Sequence, residues 1–483
     1  MPMKTGGEVR ASETFRSVLK VLILWLSFSS ALLINKGPIF FPDTSAYFRV
    51  ADAAIVWVGG KPSIWSNQVP ITRPPMRPAH MVEGAAFNSG PAPDTPTPLA
   101  GRSIYYGTAL LILGPILAAL GQGFVAACAV VMAARRLSPH VPYPLLPLVI
   151  GLSSGPIFAA LLMPDILAAL AVLACAMILT DWRRMRRPER IFWFCLLLAG
   201  VLAHSATLLI VVIVFIISWL WRRARIAAWP IVFAVAGGFL GEIGFGLAVS
   251  HAIGSQPLRP PFLSARLVAD GPGRTFLHRD CARVRRFRLC SFYQQLPANS
   301  DAILWGQNGA GFISMPAAVQ REWSSEDARF AVIVFANEPL KVLRSSGVAI
   351  LRQAAVFRID DVVQPLSSPN KLPPRERALY YSTLISHDSF PAYLWSGTSL
   401  FLLVLSLGTL LVFRRRLSLN SAIVLIGIGV DVVICGALST PHDRYLTRLV
   451  WLLPLVALGV GPCSMAVPAR GMMPLGKLKR AEK

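Results

Sequence analysis

The chain has 483 residues, of which 54% are hydrophobic and 15% are charged, with a formal net charge of +23. Soluble domains carry about 25% charged residues, so this composition argues against an ordinary soluble protein. Repeated apolar runs of about 20 residues instead indicate a polytopic membrane protein.

The positive charge is concentrated in the short gaps between apolar runs and in the C-terminal tail. These basic residues are Arg135, Arg136, Arg183, Arg184, Arg186, Arg187, Arg222, Arg223, Arg414, Arg415, Arg416, Lys477, Lys479, Arg480 and Lys483. Such residues keep short loops on the cytoplasmic side of a membrane. We expect no nucleic-acid binding, because no basic stretch is interleaved with aromatic residues in a soluble module.

Residues 18–34 form an apolar run that is too long for the core of a signal peptide, and no small-residue cleavage site follows it. We therefore predict an uncleaved first membrane helix over about 18–35, leaving the basic N-terminal tail in the cytoplasm. Residues 36–102 are then a long first external loop. Its start is predicted to be helical, and its later part, about 61–98, to be irregular because it is rich in Pro, Ser, Asn and Thr.

Residues 103–134 return to the cytoplasm and are long for one span. They contain Gly114 and Pro115, which break the helical hydrogen-bond ladder, so a kinked or partly re-entrant helix is expected. Residues 143–161 are predicted to cross outward, and 166–181 to cross back.

Residues 191–220 have arginines at both ends. A hairpin that turns near His204 and Ser205 keeps both clusters in the cytoplasm, so we prefer it to one span. Residues 229–250 are predicted to cross outward, with Glu242 inside the span.

Residues 251–390 are the one extended hydrophilic region. Counting the predicted membrane spans that precede them places them on the external side. They are expected to form a small, mainly helical cap, in which the stretch 326–356 has apolar spacings that suit either a membrane surface or the cap. Helices at about 392–413, 420–438 and 448–465 then complete the chain.

The predicted fold is thus an all-α polytopic membrane protein with about ten transmembrane helices and a mainly helical periplasmic region. Three parts are expected: an N-terminal membrane module at 1–250, an external domain at 251–390, and C-terminal helices with a basic cytoplasmic tail at 391–483.

Asp43 lies just after the first helix, at the predicted boundary between lipid and water. From this residue alone, a helix N-cap is the simplest interpretation. Asp165 follows Pro164 and is likewise expected to cap a helix. His204 is expected to bond a backbone group.

Four short motifs lie on the predicted outer side of the membrane. They are Pro42-Asp43-Thr44-Ser45-Ala46-Tyr47, Met163-Pro164-Asp165-Ile166-Leu167-Ala168, Ala203-His204-Ser205 and His442-Asp443-Arg444-Tyr445-Leu446. Their order resembles the glycosyltransferase C superfamily, in the branch of protein O-mannosyltransferases and aminoarabinose transferases. The resemblance covers about 18–250 and 392–465.

This resemblance implies a hexosyltransferase-type enzyme in a bacterial-type inner membrane, with cytoplasmic termini and a periplasmic active site. Its donor would be a polyprenyl-phosphate-linked sugar and its acceptor a lipid, a glycan or a protein. It assigns Asp43 as the base and implies inversion at the sugar carbon, with Tyr47, Asp165 and His204 as secondary candidates.

Arg444 and Tyr445 match the late arginine–tyrosine position of the family and are expected to bind the donor phosphate. Arg448 lies one helical turn further on the same face and is a second phosphate candidate, with snorkelling to the interface as its alternative. His442 is a third, since a protonated histidine binds phosphate, although a surface histidine is the simpler interpretation. The family often has an Asp-Glu pair where this chain has Asp43 and Thr44, so no cofactor is assigned and a divalent metal stays open.

Cys281 and Cys290 lie nine residues apart in the external region, where an oxidising compartment favours a disulfide. The other five cysteines fall in apolar runs, where a small buried hydrophobic role is expected.

Three other functions stay open. The first is a ligase- or polymerase-like transferase that uses Arg274, His278 and Arg279 of the 251–390 loop. The second is a transporter or flippase, for which Glu242 and Asp431 are the intramembrane acids, although the chain shows no internal repeat. The third is an inactive member of the fold that serves as a scaffold.

Overall fold

The computed structural model describes residues 6–57, 59–61, 63–65, 103–137, 143–222, 227–253, 256–306 and 311–460. Most of the predicted irregular part of the first loop, the end of the last predicted helix and the basic tail lie outside these residues. Within them the chain is helical and contains no β-strand.

The N-terminal half forms ten helices within its described part. They are α1 (Gly6–Phe28), α2 (Ser30–Ile34), α3 (Thr44–Trp57), α4 (Ile104–Leu137), α5 (Leu145–Gly151), α6 (Gly155–Ala160), α7 (Asp165–Asp181), α8 (Arg187–Ala203), α9 (Ser205–Arg222) and α10 (Trp229–Ile253).

The C-terminal half adds a second set. These helices are α11 (Phe262–Ala269), α12 (Pro272–Asp280), α13 (Ser300–Trp305), α14 (Ala317–Asn337), α15 (Pro339–Ala355), α16 (Pro374–Tyr381), α17 (Ala392–Val412), α18 (Leu419–Leu438), α19 (Asp443–Val450) and α20 (Leu452–Val460).

Among the described residues, five helices are long and apolar enough to cross a membrane: α4, α7, α10, α17 and α18. Helix α9 is apolar but shorter. Within the described residues the predicted all-α fold is confirmed, and the five apolar helices are consistent with the predicted membrane protein.

The kink predicted in α4 is confirmed. Gly114 has φ 74° and ψ 165°, in the left-handed region that favours glycine, and Pro115 follows it. A side chain at Gly114 would also meet the indole of Trp65, because an added Cβ would lie 3.1 Å from it. The kink therefore needs glycine for both its conformation and its packing.

The predicted continuous helix over 143–161 is wrong, because the chain divides there into α5 and α6. The Ser153 hydroxyl donates to the carbonyl of Ile150 (2.8 Å) and accepts from the amide of Gly155 (3.2 Å). These local bonds compete with the helical ladder, and Pro156 supplies no amide hydrogen.

Two other predicted helices are also divided. The stretch 326–356 breaks at Glu338, immediately before Pro339, and the residue before a proline disfavours helical geometry. The last predicted helix is divided at Trp451 into α19 and α20.

After α6 the chain runs extended and pairs with the segment that precedes Asp43. Ile39 donates its amide to the carbonyl of Ala160 (2.9 Å), and its own carbonyl accepts the amide of Leu162 (2.9 Å). This bridge brings the start of α3 next to the start of α7, where Asp165 lies.

The region 251–390 contributes to two hydrophobic cores. Residues between Leu258 and Val334 pack around Trp323 and Phe330 in a core of their own. Those between 359 and 385 join the main core, which the long apolar helices form. Asn35 holds this second part in place, since its carbonyl accepts the amide of Leu384 (3.1 Å) and its Oδ1 accepts that of Ile385 (3.0 Å).

Glu376 of α16 is fully buried, and neither of its carboxyl oxygens has a hydrogen-bond partner among the described residues. Burial raises its pKa to about 8, partly offset by the positive charge of Arg49. The folded protein therefore binds this proton more tightly than the unfolded chain does, and the free energy of unfolding must fall as pH rises from about 4.5 towards 8.

We expect wild-type protein in detergent to lose about 4 kcal/mol of unfolding free energy between pH 5 and pH 9 through this group. Glu376→Gln keeps the shape of the side chain and cannot ionise, so it should flatten the curve by that amount. Chemical denaturation of both proteins at several pH values measures the difference. Parallel curves would show that Glu376 does not hold its proton in the fold.

Candidate functional site

Asp43 lies in a tight turn that starts α3. The amide of Phe41 donates to the hydroxyl of Thr44 (2.9 Å), and that hydroxyl donates to the carbonyl of Leu162 (3.1 Å). The carbonyl of Asp43 accepts the amide of Ala46 (2.9 Å). The turn is thereby fixed against the extended segment before α7, and the Asp43 side chain is half-buried.

Arg444 of α19 lies against this turn. Its guanidinium carbon is 4.6 Å from the ring centroid of Phe41 and 5.1 Å from that of Tyr445. The negative charges of Asp165 and Asp43 both act on it. The structure therefore brings together the two ends of the chain that carry Asp43 and Arg444.

One nitrogen of this guanidinium is left without a partner by the part of the chain that the structure describes. Nη1 of Arg444 is buried and has no hydrogen-bond partner among the described residues. A buried donor without a partner costs about 1–3 kcal/mol, so it indicates a place for a water or a ligand oxygen.

Arg448 does not fit its predicted role. Its Nη2 lies 2.6 Å from Oδ1 of Asp431, and its Nη1 lies 3.3 Å from Oδ1 of Asp165. All three side chains are buried. Two carboxylates from α7 and α18 thus hold Arg448 in the core, where it neither snorkels to the interface nor offers a free fork to a phosphate.

The same contacts correct the predicted capping role of Asp165 and give a partner to the buried acid Asp431. Asp165 is the first residue of α7, no side chain caps that helix, and its Oδ1 faces Arg448 instead of the helix amides. Asp431 is a buried acid within a long apolar helix, and the guanidinium of Arg448 is its charge partner.

Hydrogen bonds hold both the ring and the backbone of His442, for which the sequence analysis gave a surface histidine as the simpler interpretation. Its Nε2 lies 3.1 Å from Oδ2 of Asp301, whose Oδ1 accepts from the Thr440 hydroxyl (3.2 Å). The side chain of Gln353 bonds both the amide and the carbonyl of His442, at 2.9 Å each. The ring also meets that of Tyr445 edge-on.

Two carboxylates that the sequence analysis did not identify border this site. Burial opposes ionisation of Asp301, but the bonds from His442 and Thr440 outweigh it and hold its pKa below the usual value. Asp361 accepts the amide of Arg444 (3.2 Å), and burial raises its pKa to about 6, partly offset by Arg444. Of these two acids, Asp301 therefore ionises more readily than an ordinary aspartate, and Asp361 titrates near pH 6.

Tyr47 is fully buried, and its ring packs edge-on against Tyr106. The Tyr106 hydroxyl donates to Oε1 of Gln122 (3.0 Å), whose Nε2 donates to the carbonyls of Ala159 and Leu161. The ring of Tyr47 thus packs against a tyrosine whose hydroxyl belongs to a buried hydrogen-bond network behind α3.

The remaining predicted residues lie elsewhere. His204 separates α8 from α9 at the predicted turn, and its Nδ1 accepts the amide of Ala206 (3.1 Å), as expected for a backbone-bonded histidine. Cys281 and Cys290 form a disulfide with a Cα–Cα distance of 5.3 Å, at the edge of the Leu258–Val334 core.

Within the described part of the chain, no group of three or more His, Cys, Asp or Glu side chains is arranged to hold a metal ion. The carboxylates around Arg444 can accept protons, and its guanidinium can bind an anion.

Comparison with known proteins adds no relative, since no family model, no curated protein and no solved structure matches this chain.

Proposed function

We propose that this protein is a membrane glycosyltransferase that moves a sugar from a polyprenyl-phosphate donor to an acceptor hydroxyl, with inversion. The proposal includes about ten spans in a bacterial-type inner membrane, cytoplasmic termini and a periplasmic site. It rests on the resemblance of the four motifs to the glycosyltransferase C superfamily.

The observation that carries the proposal is the contact between Arg444 and Phe41. It joins the segment before α3 to α19, more than 400 residues apart in the chain, and the charge of Asp43 acts on this guanidinium. Sugar transfer from a phosphate needs both kinds of group, since the leaving phosphate gains negative charge while the acceptor hydroxyl loses a proton.

In this proposal Arg444 binds the donor phosphate through its buried Nη1, which has no hydrogen-bond partner among the described residues. The ring of Tyr445 also contacts the guanidinium. Asp43 accepts the proton of the acceptor hydroxyl. Arg448 is not assigned to the phosphate, because Asp165 and Asp431 already hold it.

The contacts of the 251–390 region weigh against a ligase-like enzyme. Arg274 donates to the carbonyls of Val268, Leu296 and Pro297, and Arg279 pairs with Glu338 (2.9 Å). Of the three groups which that alternative needs, two are therefore engaged in structural contacts. The transporter alternative loses Asp431 in the same way, because Arg448 neutralises it.

The test is the profile of lipid-linked sugars and surface glycans in cells that carry Asp43→Asn in place of the wild-type protein. We expect the sugar donor to accumulate and its product to disappear. Asp388→Asn is the matched control, since Asp388 is an exposed acid outside the cluster. An unchanged profile in the Asp43 variant, at normal protein level, would rule out the proposed mechanism.

A further inference from the structure

The end of α14 and the whole of α15 carry a row of large apolar side chains that the protein leaves uncovered. We call it the α14–α15 apolar face, and its members are Val332, Phe335, Leu340, Leu343 and Leu351. Leu340 is 80% exposed and Leu351 is 71% exposed. Large contiguous apolar patches are rare on surfaces that face water and mark contact with a partner or a membrane.

A second side of α15 packs against a helix that is long enough to cross a membrane. Ala349 and Gln353 are buried on this side. At Gly436 of α18, an added Cβ would lie 2.7 Å from the Cα of Ile350, so the two backbones approach closely. Helix α15 therefore lies directly on α18, near the end of α18 at Leu438.

A third side of α15 is basic. At about 100° per residue, Leu340, Leu343 and Leu351 fall within an arc of roughly 80°. Arg344 and Arg352 are exposed on the adjoining arc, with the exposed Val348 between them. The helix thus presents one side to protein, one side that is apolar and one side that is cationic.

The surroundings of this face indicate what covers it. Val433 of α18 is itself exposed. At about 100° per residue it lies about 60° from Gly436, so the apolar surface continues from α15 onto a helix long enough to cross a membrane. A helix with an uncovered apolar arc beside a basic arc binds phospholipid headgroups with the basic side and the acyl boundary with the other.

We propose that α15 lies in the headgroup layer of a phospholipid bilayer, at the end of α18 marked by Leu438. Its apolar face enters the acyl boundary, and Arg344 and Arg352 contact lipid phosphates. This placement does not depend on the enzymatic proposal.

The position of α15 has a consequence for the candidate site. The side chain of Gln353 donates to the carbonyl of His442 and accepts its amide, and so holds the backbone two residues before Arg444. A helix fixed at headgroup depth therefore fixes the depth of the α18–α19 connection. Arg444 would then lie at the level of lipid phosphates.

The test uses nitroxide labels on Leu340→Cys and Leu351→Cys, with Arg344→Cys as the control on the basic arc. The parent carries Cys195→Ser, because Cys195 is exposed. The parent without an introduced cysteine gives the background signal. The labelled proteins are reconstituted in vesicles of phosphatidylcholine and phosphatidylglycerol, and collision rates with oxygen and with a water-soluble nickel chelate are measured.

We expect labels at 340 and 351 to collide several-fold more with oxygen than with the nickel chelate, at a depth of about 5–10 Å below the phosphates. The label at 344 should show the opposite preference. Strong nickel collisions at 340 or 351 would place the face in water and overturn the proposal. Protection from both reagents would show a protein partner, such as a second copy of this chain, and would equally overturn it.

Discussion

Purified Asp43→Asn protein is expected to transfer sugar about 10²–10⁴-fold more slowly than wild type, because asparagine has the shape of aspartate but cannot accept a proton. The loss should fall on kcat. The donor KM should change little, since the phosphate is assigned to Arg444, which the substitution leaves in place above the ring of Phe41.

The measurement is the initial rate of transfer in detergent or vesicles, with donor concentration varied. Asp388→Asn serves as the matched control and should keep wild-type kinetics. A variant at Asp43 that retains more than about a tenth of wild-type kcat would contradict the assignment of Asp43 as the base. A large rise in donor KM with normal kcat would instead place Asp43 in donor binding.

Arg448→Met is expected to lower the free energy of unfolding by about 3–5 kcal/mol, because it leaves Asp165 and Asp431 buried without their cation. Breaking a buried ion pair from one side is costly even where the intact pair contributes little. The effect should appear whether or not the protein is an enzyme, since the ion cluster lies in the core.

Two comparisons make this prediction specific. Arg415→Met changes an exposed arginine and should shift stability by less than about 0.5 kcal/mol. Adding Asp165→Asn and Asp431→Asn to Arg448→Met removes both orphaned charges and should recover at least half of the loss. Denaturation in detergent measures all three. If the single variant at Arg448 unfolds like wild type, the buried cluster described here is wrong.

The sequence predicted those features that depend on neighbouring residues. The kink follows from Gly114 and Pro115 themselves, the break at His204 from the arginines that flank 191–220, and the shared helical face of Arg444 and Arg448 from their spacing. The division of 143–161 does not show in an apolar pattern, because Ser153 and its hydrogen bonds leave hydropathy almost unchanged.

The parts of the site that were missed come from long-range contacts. Asp301 reaches Thr440 across 139 residues, and Asp361 reaches Arg444 across 83. Each is an ordinary acid in a hydrophilic stretch, with no motif around it. The spacing of Arg448 placed it on the same helical face as Arg444. Its partners Asp165 and Asp431 lie on other helices, so its burial could not be foreseen from the sequence.

The central claim is that the turn before α3 and the segment around Arg444 share one site on the outer face of the membrane. Labelling of intact cells with a membrane-impermeant thiol reagent tests it directly, in the Cys195→Ser parent. Pro42→Cys reports on the Asp43 turn, and Arg358→Cys reports on the start of α19, since the amide of Arg358 donates to Asp443 (2.9 Å). We predict that both are labelled in intact cells, while Arg415→Cys requires permeabilised cells. Labelling of Arg415→Cys from outside, with Pro42→Cys and Arg358→Cys protected until permeabilisation, would contradict the account.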